Sequence, residues 1–139
     1  MAGCGVVFHT ASPFTSNVAD PQKDLIDPAL LGTRNVLDQA RRTDSVTRVV
    51  LTSSCAAIFT DAADCADAPG GVLTEAIWNR TASLEYQPYS WSKTLAEAEA
   101  WKIAEGAQFR LVAINPCLIM GPAIGGRPTS ESFSVMQRA

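Results

Sequence analysis

The sequence predicts an α/β fold, half of a doubly wound parallel sheet, and two observations carry that reading. Three short apolar runs, Gly5–Ala11, Arg48–Ser54 and Phe109–Asn115, have the continuous rather than alternating character of strands buried inside parallel sheets. Segments with helical periodicity or strong helix formers lie between them, so strand and helix alternate along the chain.

The first run ends in Ser12-Pro13, where proline stops ladder pairing. After a polar loop, Asp27-Pro28 reads as an N-cap followed by proline at the first helical position. Ile26, Leu30, Thr33, Leu37 and Ala40 then recur at helical spacing to about Arg42. The second run delivers Ser53 and Ser54 at its C-terminal end. Residues 61–88, rich in Asp, Ala, Gly and Pro, read as a long loop with a short helical turn near Thr74–Trp78.

Tyr89–Glu105 is the clearest helix, with Trp91, Leu95, Ala98 and Trp101 at helical spacing and Gly106 placed as its C-terminal cap. Both tryptophans are expected to be largely buried against the sheet or a neighbouring helix. The third run is closed by Pro116, and the remainder reads as loop with a helix starting at Ser130. Right-handed crossovers set the three strands side by side, so Thr10-Ala11-Ser12, Ser53-Ser54 and Asn115-Pro116 should share the edge beyond which such sheets bind ligands.

Composition narrows the function. With 139 residues, 47% hydrophobic and 18% charged, the chain matches one globular domain, and no internal repeat or low-complexity tract interrupts it. Eleven basic against fourteen acidic residues give a net charge of −3, which provides no basic field for nucleic acid. Cys4, Cys55, Cys65 and Cys117 form no C-x-x-C pair and His9 stands alone, so no metal site is expected and the thiols read as structural. No stretch reaches the roughly 20 apolar residues of a membrane span, and a reduced, cytoplasmic protein is the simplest expectation. Asn79-Arg80-Thr81 fits a glycosylation acceptor, a pattern that matters only in a secreted chain.

Tyr89 and Lys93 lie four residues apart on one helical face, within reach of the same bound molecule. A cation beside a phenol stabilises the phenolate and is expected to lower a pKa that is otherwise about 10. Tyr89 then serves as a general acid that hands a proton to a carbonyl oxygen as hydride reaches the carbon, while the Ser54 hydroxyl holds that oxygen. Taken alone, Tyr-x-x-x-Lys is a weak signal. The competing reading is an amphipathic helix with a packed tyrosine and an exposed lysine. Ser53-Ser54 and Asn115-Pro116 could likewise be a strand cap and a strand stop, but together these elements favour a site.

Five separated motifs then bring a family into view: 7–13 (Val-Phe-His-Thr-Ala-Ser-Pro), 32–37 (Gly-Thr-Arg-Asn-Val-Leu), 51–54 (Leu-Thr-Ser-Ser), 89–97 (Tyr-Ser-Trp-Ser-Lys-Thr-Leu-Ala-Glu) and 115–122 (Asn-Pro-Cys-Leu-Ile-Met-Gly-Pro). In that order they resemble the middle of an extended short-chain dehydrogenase/reductase of the NAD-dependent epimerase/dehydratase superfamily. Cinnamoyl-CoA reductases, dihydroflavonol 4-reductases and related aldehyde or methylglyoxal reductases are the nearest in character. The resemblance implies a partial Rossmann domain over 1–139, comprising the fourth to sixth strands of the family sheet, with a substrate-domain loop beginning near 121–139.

It also implies the catalytic set Ser54, Tyr89 and Lys93, with Lys93 holding the nicotinamide ribose. Thr10, Ala11 and Ser12 would line the cofactor, Pro116, Cys117, Leu118 and Ile119 would pass under the nicotinamide, and Ser130 is matched to the same cofactor. NADP(H) is preferred over NAD(H), the partner is a small carbonyl compound, and the residues leave substrate and oligomeric state open. Neither the family's Gly-x-x-Gly-x-x-Gly turn nor its substrate domain is found, so the chain is expected to be a fragment, inactive alone, with Met1 an internal methionine or the start of an abridged gene model. The alternatives are an epimerase or hydroxysteroid dehydrogenase using the same three residues, or a non-catalytic binding or interaction protein, a truncated paralogue that keeps the motifs by descent but cannot hold the dinucleotide.

Overall fold

In the computed structural model, residues 1–15, 17–119, 121, 125–126 and 131–138 are described. The Asp-Pro pair that opens the first helix is Asp20-Pro21, not Asp27-Pro28. The amides of Gln22 and Lys23 donate to Asp20 Oδ1 at 3.1 and 3.3 Å, and Asp24 reaches back to the amides of Ala19 and Asp20 at 2.9 Å each. One wide turn, Gln22–Ile26, then feeds α1 (Asp27–Arg41), with the Asp27 amide donating to the Gln22 carbonyl. Asp27 already has helical backbone angles and cannot act as a cap. The physical reason is burial: Leu25 and Ile26 lie in the interior against the elements that follow, which draws the chain into helical form a turn earlier than the proline signal at Pro28 suggests.

Three strands, β1 (Val6–His9), β2 (Arg48–Thr52) and β3 (Arg110–Ile114), form one parallel sheet in the order β1-β2-β3. The registers pair His9 with Leu51 and Leu51 with Ala113. α2 (Pro88–Ala104) joins α1 over the sheet, and α3 (Glu131–Arg138) ends the described chain. Gly106, at φ 68°, takes the left-handed conformation that ends α2 as expected. The interval between β2 and α2 holds three short 3₁₀ turns, Cys55–Ala57, Ala62–Asp67 and Pro69–Gly71. The segment Thr74–Trp78 has only a single turn bond, from the Ile77 amide to the Thr74 carbonyl, in place of the expected helical turn.

The core lies between one face of the sheet and the two helices: Val49 and Leu51 from β2, Leu37 and Ala40 from α1, Ala100 and Ile103 from α2, with Val46 and Phe109 beside them. Truncating a side chain as enclosed as Leu37 would cost about 2–5 kcal/mol. The opposite face corrects the expectation of fully buried strands. Phe8 is 71% exposed, and Val6, Val112 and Ile114 are exposed with it. Because the strand order never reverses, both right-handed crossovers place their helices on the same side, and among the described residues nothing covers the other.

The face of α2 also differs from its reading. Of the stripe Trp91, Leu95, Ala98 and Trp101, two members are half-buried and two exposed, Trp101 at 42%. The buried face is instead Ser92, Lys93, Ala96, Glu97, Ala100 and Ile103. Small residues let α1 and α2 approach closely, whereas the indole of Trp101 lies along the helix, its Nε1 donating to Glu97 at 3.2 Å.

Candidate active site

All three strands run the same way, so their C-terminal ends deliver the segments 10–12, 53–55 and 115–117 to one edge. Ser54, extended at φ −162° and ψ 153°, caps the turn Cys55–Ala57 by accepting from the Ala56 amide at 3.2 Å. Its own carbonyl accepts from Asn115 Nδ2 at 3.0 Å. Tyr89 and Lys93 come to the same edge on the first turns of α2. The Ser54 hydroxyl lies near enough to the Tyr89 phenol to act on its titration, the Phe14 ring packs at 4.8 Å from the Tyr89 ring, and the Lys93 ammonium stands 5.6 Å from that ring's centre. The three residues read as a set from the sequence are therefore brought together.

Lys93 is only 7% exposed, and among the described residues its ammonium has neither a carboxylate nor a hydrogen-bond acceptor as partner. This rules out the reading in which the lysine is a solvated surface residue. Burial pushes its pKa down to about 8. His9, buried beside it, is held below the ordinary histidine range, first by burial and then by the charge of Lys93.

Tyr89 departs from expectation. Its phenol is pushed above its ordinary value by burial, against the opposing effect of the nearby Ser54 hydroxyl. The expected lowering by Lys93 does not arise: its ammonium stands over the ring, 5.6 Å from the centroid, and is not among the causes of the shift.

Two residues that the sequence reading gave no role organise the edge. Glu97, one helical turn past Lys93, is buried and accepts from Ser53 Oγ at 2.5 Å, from Asn115 Nδ2 at 2.8 Å and from the Trp101 indole. It ties α2 to the ends of β2 and β3. Its signal was the spacing Tyr89, Lys93, Glu97 along one face. Asn79 is the second: its amide nitrogen donates to the Ala56 carbonyl at 2.8 Å and to Thr60, and its oxygen accepts from the amides of Thr81 and Ala82. A buried, fully engaged amide is a structural anchor and not a glycosylation acceptor.

Of the expected cofactor-lining residues, Ala11 and Ser12 join His9, Ser53, Lys93 and Glu97 around a small cleft at the sheet edge. Thr10 is exposed beside it, and Pro116, Cys117, Leu118 and Ile119 leave β3 as a largely exposed segment. Ser130 lies outside the described residues. A larger open hollow of about 500 Å³, bordered by Ile58, Asp64, Trp78 and Arg80, belongs to the segment between β2 and α2, and none of Ser54, Tyr89 and Lys93 lines it.

A one-layered parallel sheet carrying a Ser-Tyr-Lys set at its C-terminal edge defines the nucleotide-binding part of a short-chain reductase fold. The chain belongs to the 3-beta hydroxysteroid dehydrogenase/isomerase family, whose sequence profile matches residues 1–131. It is 44% identical over 125 residues to the cinnamoyl-CoA reductase CAD2 of Medicago truncatula, covering 88% of this chain and 37% of that protein. It is 37% identical over 135 residues to an anthocyanidin reductase of Arabidopsis thaliana, covering 94% of this chain and 39% of the relative. Among solved structures, the yeast methylglyoxal/isovaleraldehyde reductase Gre2 complexed with NADPH superposes with a TM-score of 0.75 at 35% identity, over 87% of this chain and 38% of that one. The chain thus spans under two fifths of the length of these relatives. No helix among the described residues is long and apolar enough to cross a membrane.

Proposed function

We propose that this chain carries the catalytic edge of a nicotinamide-dependent reductase that reduces the carbonyl of a small aldehyde, ketone or CoA thioester. The observation that carries the reading is Lys93: a buried ammonium without an acceptor among the described residues, set over the ring of a tyrosine whose phenol lies near the Ser54 hydroxyl. Leaving such a charge without a partner costs several kcal/mol, and a ligand with vicinal hydroxyls, such as a ribose, relieves it.

The donor set fits a nicotinamide dinucleotide. Lys93 would hold the ribose, Thr10, Ala11 and Ser12 would line its path, and the backbone from Pro116 to Ile119 would lie under the ring, with Ser130 matched to the same molecule. Bound there, the cofactor supplies hydride. Ser54 and Tyr89 hold the carbonyl oxygen between two hydroxyls, and Tyr89 passes its proton to that oxygen. The raised pKa keeps the phenol protonated at neutral pH but makes it the weaker acid, so the charge left on its oxygen needs stabilising. Lys93, through the ribose hydroxyls and the field at the phenol, stabilises the charge left behind. NADP(H) is favoured over NAD(H) on the strength of the NADPH complex of Gre2.

The test is Tyr89→Phe in a full-length version that also carries the glycine-rich turn and a substrate domain, assayed beside its unaltered counterpart for NADPH-dependent carbonyl reduction and for NADPH affinity. Turnover falls by a factor of 10² or more, as is usual on loss of a general acid, while affinity changes little. Retention of more than about a tenth of the turnover contradicts the assignment.

A further inference from the structure

The ladder between β2 and β3 continues past the strands themselves. Within the strands each β2 residue pairs with the residue 62 positions later, from Arg48↔Arg110 to Thr52↔Ile114. Beyond them the Ser53 amide donates to the Ile114 carbonyl at 2.8 Å and the Cys55 amide donates to the Pro116 carbonyl at 3.0 Å, two residues further on each side. The same register therefore sets Cys55 opposite Cys117. A pair two residues earlier in this register, Ser53 and Asn115, already meets at Glu97. The Cys117 thiol lies near enough to Cys55 to help raise its pKa, after burial. Neighbouring strands lie about 4.8 Å apart, which falls within the Cα separation of roughly 4.4–6.8 Å that a disulfide spans.

We propose that Cys55 and Cys117 are a dithiol pair that hydrogen peroxide converts reversibly to a disulfide, closing a covalent bridge across the catalytic edge. Cys117 is exposed and Cys55 half-buried, which assigns the order of events. The Cys117 sulfur attacks one peroxide oxygen, the O–O bond breaks, and Cys117 becomes a sulfenic acid as water leaves. The Cys55 sulfur then displaces the sulfenic hydroxyl, losing its proton, and a second water departs as the S–S bond forms. Two thiols are oxidised by two electrons and one peroxide is reduced to two waters. Cys55 suits the second step: burial and the neighbouring thiol push its pKa up to about 11, so it is slow to react with oxidant and is engaged by contact.

The bridge would join the residue after Ser54 to the segment Pro116–Ile119. Where the reductase reading holds, oxidation therefore lowers turnover until a thiol reductant restores it; formation of the bridge does not depend on that reading.

The folded chain, first reduced, is treated with hydrogen peroxide, its free thiols are alkylated, and it is digested with proteases that cleave at Asp61 or Asp64 so that Cys55 and Cys65 separate. The expected product is a Cys55–Cys117 linked peptide, lighter by two hydrogens than its parts and lost on dithiothreitol treatment. Cys65→Ser and Cys4→Ser retain it, whereas Cys55→Ser and Cys117→Ser do not form it. The proposal is overturned if both thiols stay alkylatable while Cys4 oxidises, if Cys117 pairs with another cysteine, or if it proceeds to sulfinic acid with Cys55 free. The wild-type peptide map decides these outcomes even where a variant fails to fold.

Discussion

The Lys93 ammonium stands 5.6 Å from the centre of the Tyr89 ring in a site where it is almost wholly buried. A protein seldom encloses an ammonium without an acceptor, and the strain this places on the folded state is measurable.

In the unfolded chain Lys93 titrates near 10.5, and in the folded chain at about 8. Between those values the unfolded state holds more protons, so stability rises with pH across the window, and below about pH 8 the full cost of the buried charge is present. Lys93→Met should therefore stabilise the fold at pH 7 by something on the order of 1–3 kcal/mol, with the gain shrinking as pH climbs toward 10. Urea titrations of both proteins at several pH values would check it. A destabilised variant at pH 7 would mean that the ammonium has a partner.

Glu97 makes the opposite case, a buried acceptor with three donors. Glu97→Ala leaves the Ser53 hydroxyl and the Asn115 amide without it, and should cost about 2–4 kcal/mol, more than Trp101→Ala on the exposed flank of the same helix. Thermal unfolding of the two variants side by side gives the comparison. Equal shifts would show that the indole contributes packing its exposure does not reveal.

Asn79 holds the segment between β2 and α2 to the turn that follows Ser54. Asn79→Ala removes the side-chain hydrogen bonds to four residues at once, Ala56, Thr60, Thr81 and Ala82, and is expected to cost about 1–3 kcal/mol. Hydrogen exchange should quicken locally at Thr81 and Ala82 while the amides of β2 keep their protection. Uniform loss of protection would place Asn79 in the global core instead.

The open face of the sheet sets the behaviour of these 139 residues expressed alone. Phe8, Val112 and Ile114 present an apolar surface beside the unpaired edge of β1, a template for other chains. Light scattering at micromolar concentration should show association, reduced by the pair Phe8→Lys and Ile114→Lys. A monodisperse wild type would mean that this face is covered by residues outside the described ones.

Most of the architecture was legible in order along the chain. The apolar runs placed all three strands within a residue or two, and strand-helix alternation with right-handed crossovers set them parallel in the order observed. Ser54, Tyr89 and Lys93 were visible as well, because an i, i+4 pair on a helix and a residue at a strand end are positioned by local geometry that spacing encodes.

What the sequence could not decide was which neighbours those elements meet. Trp101 is apolar enough to be read as core, yet the close approach of α1 and α2 selects Ala96 and Ala100 and turns the indole outward. Strands apolar throughout were read as doubly covered, although coverage depends on where each crossover lands. The Tyr89 phenol was expected to be acidified by its lysine, but its pKa follows burial and the Ser54 hydroxyl, both products of three segments converging. Glu97 and the Cys55–Cys117 contact likewise exist only once β2, β3 and α2 are aligned. Periodicity and spacing are properties of one segment and survive translation into sequence pattern, whereas burial, charge environment and cross-strand register belong to pairs of segments and take their values only when the chain has packed.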